Sequence, residues 1–173
     1  MTARELAESR MFLQVADVEL IQKAVGMLAA EEPWIADLGA GSGTTAAAVF
    51  EANRNAKIWT IDISTENLNW AEAIVLSMGM TDYWVALCMD SVQAAEFLSE
   101  SAWDLVMIDT SHEYEHTKDE LNAWIPRLNP GGYVWLHDYI GYDGVKKAVD
   151  EFVETRRVNI IEQSGLGILV KPL

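Results

Sequence analysis

Residues 34 to 43 read Trp34-Ile-Ala-Asp37-Leu-Gly39-Ala-Gly41-Ser-Gly43. An apolar run ends in an acid, glycines follow at every second position, and Thr44-Thr-Ala-Ala-Ala48 behind them suits a helix. Strand, glycine loop and helix make a nucleotide-binding turn, because glycines without a Cβ let the backbone leave the strand sharply and approach a ligand closely. The residues that are missing narrow the ligand. A dinucleotide fingerprint, Gly-x-Gly-x-x-Gly, needs glycine at 44, where Thr44 stands, and a phosphate-cradling P-loop needs Gly-Lys-Ser/Thr, but the segment has no Lys.

Outward from this turn, apolar runs alternate with helical stretches. Strands are expected at Trp34 to Leu38, Lys57 to Asp62, Tyr83 to Cys88, Trp103 to Asp109 and Tyr133 to His137, each rich in Ile, Val, Leu or Trp. Apolar residues at helical spacing fill Thr44 to Ala52, Thr65 to Ser77, Val92 to Leu98, Tyr114 to Leu128 and Tyr142 to Thr155, with Gly79 and Asn129-Pro-Gly-Gly132 as stops. This alternation calls for an α/β fold with a parallel sheet covered on both faces. The end differs: Arg157 to Ile161 and Ile168 to Lys171 are two extended runs joined by Glu162 to Gly167, a terminal antiparallel hairpin. No repeat or linker divides the chain, so residues 1–173 are expected to form one domain. Within it, residues 1–31 are a helical N-terminal extension, broken or in two short helices, on a core of 32–173.

Composition excludes several classes. With 27 Asp and Glu against 12 Lys and Arg the formal charge is −15, which repels nucleic acid and anionic membrane. No apolar run approaches the roughly 20 residues of a membrane helix. The first 30 residues carry Arg4, Glu5, Glu8, Arg10, Asp17 and Glu19 and are no signal peptide. The single cysteine, Cys88, cannot form an internal disulfide. A cytoplasmic protein is expected.

Parallel sheets bind ligands beyond the carboxyl ends of their strands. Acids and histidines stand at those ends here: Asp37 after the first strand, Asp62 and Ile63 after the second, Asp90 and Ser91 after the third, Asp109 after the fourth, His137 and Asp138 after the fifth. Any one Asp there serves equally as a helix cap or a turn former. Five in succession point to a site. Asp62, 25 residues after Asp37, is placed to accept both hydroxyls of a ribose. Asp90 or Ser91 either caps the following helix or faces the ligand, and one loop can do both.

The segment Ile108-Asp109-Thr-Ser-His112-Glu-Tyr114, with His137-Asp138-Tyr139 downstream and Gly144-Val-Lys-Lys-Ala-Val-Asp-Glu-Phe152 after that, narrows the reading. Together with Asp37-x-Gly39-x-Gly41-x-Gly43 it resembles class I S-adenosylmethionine (SAM) methyltransferases, in the subgroup with Asp-x-x-His and His-Asp-Tyr motifs that includes macrocin and sugar O-methyltransferases. The resemblance runs from about Trp34 to the C-terminus. It implies a Rossmann-like, doubly wound, mostly parallel seven-stranded sheet with an antiparallel C-terminal hairpin strand. It implies a SAM site at Asp37, Gly39, Ala40, Gly41, Gly43, Asp62, Ile63, Asp90, Ser91 and Asp109, with Asp37 facing the amino-acid end of the cofactor and Asp90 the adenine. Two departures stand out: Thr110-Ser111 replace a common Gly-Asp, and His116 replaces a common glycine.

An aliphatic hydroxyl needs a base, or a metal that lowers its pKa, before it attacks a methyl group. Histidine is the residue type that serves as a base near neutrality. The expected catalytic set is therefore Asp109, His112, His137 and Asp138, with His112 taking the proton and Asp109 orienting it. The resemblance to catechol-type enzymes makes Asp109 and Asp138 the alternative, a Mg2+ site, although Tyr139 replaces the usual Asn. His137 is equally readable as a packed strand-end residue, and His116 as a surface residue. Tyr114, Tyr139 and Tyr142 are expected to border the acceptor pocket, the tryptophans to pack in the sheet, and residues 1–31 to help wall the acceptor site. The expected partners are a small-molecule acceptor (sugar, macrolide or phenol) and a second copy through an apolar helix at Met11 to Leu28. A NAD oxidoreductase and a non-catalytic SAM-binding protein remain the alternatives.

Overall fold

The computed structural model describes residues 1–10, 13–100, 102–156 and 158–172. In chain order it runs α1 (Ala3–Arg10), α2 (Val15–Gly26), β1 (Trp34–Leu38), α3 (Thr44–Ala52), β2 (Lys57–Asp62), α4 (Thr65–Ser77), β3 (Trp84–Cys88) and α5 (Ser91–Phe97). Then follow β4 (Trp103–Ile108), α6 (Tyr114–Trp124), β5 (Leu128–Leu136), α7 (Asp143–Arg156), β6 (Val158–Ser164) and β7 (Gly167–Pro172). The seven strands form one sheet in the order β3-β2-β1-β4-β5-β7-β6. Pairings among β1 to β5 are parallel, and β7 joins β5 and β6 antiparallel. This is the doubly wound Rossmann-like sheet with its terminal hairpin. The strand order reverses between β1 and β4, which is where such sheets open a crevice for a ligand.

Strand periodicity explains the two-sided burial. Leu105 and Met107 of β4 pack with α1, α2 and α3, whereas Val106 and Ile108, alternating with them, pack with α5, α6 and α7. Trp103, Trp124 and Trp135 are fully buried and Trp34 is partly exposed at the strand start, so the tryptophans are packing residues.

Three boundaries differ from the sequence reading for identifiable reasons. Helix α6 stops at Trp124 and gives way to a 3-10 turn at Ile125–Arg127, because Pro126 cannot continue an α-helix. Strand β5 starts at Leu128, so Asn129 to Gly132 lie inside it and do not precede it. The ladder to β4 jumps from Trp103↔Leu128 to Leu105↔Tyr133, and this irregularity absorbs Pro130 and the left-handed Gly131. The hairpin turn shrinks to Gly165 and Leu166; Arg157, the expected first residue of its leading strand, lies outside the described residues.

The N-terminal extension is two helices. Of the apolar helix expected from Met11 to Leu28, Met11 and Phe12 lie outside the described residues. Leu13, Val18, Leu20, Ile21, Ala24 and Val25 are buried in the chain's own core. Their apolar face is occupied within the chain. Among the described residues no helix is long and apolar enough to cross a membrane.

Candidate functional site

The carboxyl ends of β1 to β5 surround a cavity of about 730 Å³, inside the ~300–1,000 Å³ range of small-molecule sites. One end is built by the glycine loop. Gly39 leaves β1 at φ 99°, and a Cβ there would lie 1.8 Å from the Asp109 carbonyl oxygen, so only glycine lets the loop cross the end of β4. The Ala40 N–H donates to Asp62 Oδ2 at 2.9 Å, which ties the loop to the end of β2. Asp62 also accepts from the Ser64 N–H and the Asn67 side-chain amide. Three of its roughly four acceptor positions are thus in use, and accepting both hydroxyls of a ribose requires displacing one of these bonds. Ile63, 77% exposed, projects its apolar side chain along the same wall. Asp90 caps α5 by accepting from the Val92 and Gln93 N–H groups through Oδ1, leaving its second oxygen unused by the cap at the cavity wall.

Asp37 does not reach the cavity wall. It is buried beneath the loop, where Oδ2 accepts from Thr45 and Thr60 hydroxyls at 3.0 Å each, and Oδ1 has no partner. Burial raises its carboxyl pKa to about 7 against the opposing hydrogen bonds from Thr45 and Thr60. Gly43 is also off the cavity wall: it opens α3 and packs its backbone against Ala71 of α4.

The other end of the cavity is a cluster of histidines and acids. His112 Nε2 lies 2.7 Å from Asp138 Oδ2, and its ring stacks on Tyr142 at 3.7 Å. The expected orienting residue was Asp109; the structure gives that place to Asp138. Asp109 instead faces His137 Nδ1 at 3.3 Å, and Asp138 Oδ2 faces the same nitrogen at 3.2 Å. Adjacent strand residues normally point to opposite faces, but Asp138 has φ 58°, a left-handed conformation that turns its carboxylate back beside the His137 ring. A third carboxylate, Asp17 of α2, lies 3.4 Å from His137 Nε2. These contacts are at ion-pair distance without hydrogen-bond alignment. Burial opposes a charge on His137, yet Asp109, Asp138 and Asp17 outweigh it and push its pKa up to about 12. Asp138 is itself costly to bury, but the two histidines hold its pKa below the usual carboxylate value. His137 is thus packed against Trp135 and faced by carboxylates that favour its charged form.

Asp109, His137 and Asp138 place one ligand atom each within 4.8 Å of one another. They do not fit Mg2+. That ion prefers a cage of oxygen donors with retained water, whereas this set places a buried imidazole, flanked on its other edge by Asp17, between two carboxylates.

A second polar cluster was not foreseen. Glu120 of α6 is fully buried and accepts from Ser91 Oγ at 2.5 Å and Thr110 Oγ1 at 2.8 Å, with His116 Nε2 3.3 Å away. His116 is therefore a half-buried cavity residue and not a surface one. Its hydrogen bond to Glu120 raises its pKa against the effect of burial. The i,i+4 spacing of His116 and Glu120 was the available signal. Tyr139 and Tyr114 turn away from the cavity to bond Asp150 and Glu151 of α7; of the three tyrosines only Tyr142 lines it. Among the described residues of 1–31 none lines it either: the far wall is Leu166 in the β6–β7 turn, and Asp17 lies behind His137.

A doubly wound sheet with a glycine loop at its switch point and acids at successive strand ends defines a nucleotide-type α/β protein. Residues 36–139 match the family described as a methyltransferase domain, and the chain belongs to that family. No curated protein matches the chain significantly. Among solved structures it is similar to a Corynebacterium glutamicum protein, at 18% identity with TM-score 0.80, covering 98% of this chain and 87% of that one. An rRNA methylase from Streptococcus thermophilus shares 14% identity with TM-score 0.74, covering 91% and 96%. A Streptococcus mutans protein described as a methyltransferase, in complex with SAH, shares 13% identity with TM-score 0.73, covering 91% and 98%. At these identities the likeness is one of fold.

Proposed function

We propose that the protein is a SAM-dependent methyltransferase acting on the hydroxyl of a small molecule, with His112 as general base. The observation that carries this reading is the His112 Nε2 to Asp138 Oδ2 contact of 2.7 Å at the cavity wall. A carboxylate at this distance favours the tautomer protonated at Nε2, in which Nδ1 keeps its lone pair for a proton. SAM supplies an electrophilic methyl whose transfer cancels the sulfonium charge. His112 takes the hydroxyl proton as the oxygen–carbon bond forms and the carbon–sulfur bond breaks, and Asp138 stabilises the imidazolium that results.

The chain's residues fit the cofactor. Gly39 and Gly41 give close backbone approach, Asp62 stands at ribose level, Ile63 offers an apolar face, and Asp90 and Ser91 close the adenine side. The buried Oδ1 of Asp37, beneath the loop, is left without a partner. A small acceptor follows from electrostatics: the chain carries −15, and among the described residues no Lys or Arg lines the cavity, so nothing there attracts a polyanion. Sugar, macrolide and phenolic hydroxyls suit such a site. Family membership favours SAM over NAD, and the completeness of the His112 to Asp138 pair favours catalysis over binding alone.

The test uses SAM labelled at the methyl group with phenol, catechol and methyl glucoside as acceptor probes, alongside calorimetry with S-adenosylhomocysteine (SAH). His112→Ala is expected to slow methyl transfer by about 10²–10⁴-fold with SAH affinity unchanged. Unchanged turnover would remove His112 from the chemistry, and SAH binding without transfer to any probe would turn the reading to a SAM-binding protein. EDTA is expected to leave the rate unchanged, with no gain on adding magnesium.

A further inference from the structure

The family match spans residues 36–139, so α2 and the β6–β7 turn lie outside it although both touch the site. Their link is Asp17. This carboxylate is fully buried, and its Oδ1 accepts from the Leu166 and Gly167 N–H groups at 3.0 Å each. Its Oδ2 accepts from the Gln14 N–H at 2.9 Å and lies 3.4 Å from His137 Nε2. A capping acid needs only the Gln14 contact and ordinarily stays in water. Burying an anion costs several kcal/mol unless partners surround it, and here the partners come from the turn and from His137.

The turn is shaped to admit that carboxylate. A Cβ on Gly165, which has φ 59°, would lie 2.5 Å from Asp17 Oδ1, and one on Gly167 would lie 3.2 Å from the same oxygen. Between these glycines Leu166 lines the cavity beside His112, His137, Asp138 and Tyr142. Its carbonyl accepts from the Ile140 N–H at 3.2 Å, so the turn is held from both sides.

We propose that Asp17 is a positioning residue of the methyl-transfer site: one carboxylate sets the His137 ring and, through the Gly165-Leu166-Gly167 turn, the acceptor-side wall. The inference rests on the reading of His137, Asp138 and His112 as methyl-transfer machinery. Contacts run from Asp17 to His137, from His137 to Asp138 at 3.2 Å, and from Asp138 to His112 at 2.7 Å. Trp135 stacks on the His137 ring and restricts its plane. Asp17 decides which edge of that ring faces Asp109 and Asp138.

The experiment is Asp17→Asn in the full chain, which keeps an oxygen for the two turn amides and removes the anion facing Nε2. The expected result is a resolved shift of the His137 imidazole ¹⁵N signals and of the Leu166 amide, with SAH affinity held within about twofold. If that variant does not fold, Gly165→Ala is measured instead. Its Cβ presses on Asp17 Oδ1, and it is expected to move the same His137 signals without altering either residue. Unmoved His137 signals in the folded variant overturn the proposal. Failure of the wild-type chain to bind SAH would instead overturn the methyl-transfer reading, leaving the Asp17 to His137 coupling measured on its own terms.

Discussion

The two ends of the cavity are built in different ways. The end formed by the glycine loop, Asp62 and Asp90 is held by bonds that span 22 residues at most: Ala40 to Asp62, Asp62 to Ser64, Asp90 to Val92 and Gln93. The end formed by His112, His137 and Asp138 is assembled from remote segments, with Asp17 and Leu166 separated by 149 residues. A local frame makes a loop that short spacing rules can specify. A remote frame leaves each residue's role to whatever the fold brings beside it, so Asp138 displaces Asp109 as the partner of His112.

This contrast is open to direct attack. Gly39→Ala should collapse the local end, because its Cβ would stand 1.8 Å from a backbone oxygen at positive φ. A loss of roughly 3 kcal/mol or more in stability, with SAH binding lost, is expected from thermal unfolding and calorimetry. A stable, SAH-binding Gly39→Ala protein would show that the loop is not pinned to β4.

Asp37 gives a pH-dependent test. Its carboxyl pKa is about 7 in the folded chain against about 3.9 unfolded, so the folded state holds this proton more tightly. The linked stability is complete below about pH 4 and is lost as pH rises through about 7. Asp37→Asn removes this titration, so its Tm relative to wild type should rise between about pH 4 and 7 and level off above that. Parallel Tm curves would mean that the orphan oxygen is solvated.

Ile63→Ala sharpens the comparison at the gentlest level. The side chain is 77% exposed in the free protein, so stability should hold within about 0.5 kcal/mol. SAH affinity should weaken by about 1 kcal/mol for the apolar contact removed. No change in affinity would place the adenine elsewhere.

Most of the sheet was legible in the sequence because strands buried on both faces read as apolar runs, and Trp34 to Leu38 and Lys57 to Asp62 match the structure residue for residue. The start of β5 was hidden because Asn129 to Gly132 carry turn residues that a ladder irregularity accommodates. In the site, the strand-end acids and histidines were readable by position, but their partners were not. His116 looked like a surface residue until Glu120 and Ser91 closed around it, and Tyr139, adjacent in sequence to Asp138, turned to Asp150.

By itself the sequence determined the α/β alternation, the glycine loop and the strand ends at which charged side chains would stand, because each depends on periodicity and on residues a few positions apart. Only the tertiary structure decided that Asp138 and not Asp109 meets His112, that Asp37 lies beneath the loop, that Leu166 forms the far wall, and that His137 sits among three carboxylates. Those outcomes depend on burial and on approach between separate elements of the chain. Spacing along the chain carries no information about either.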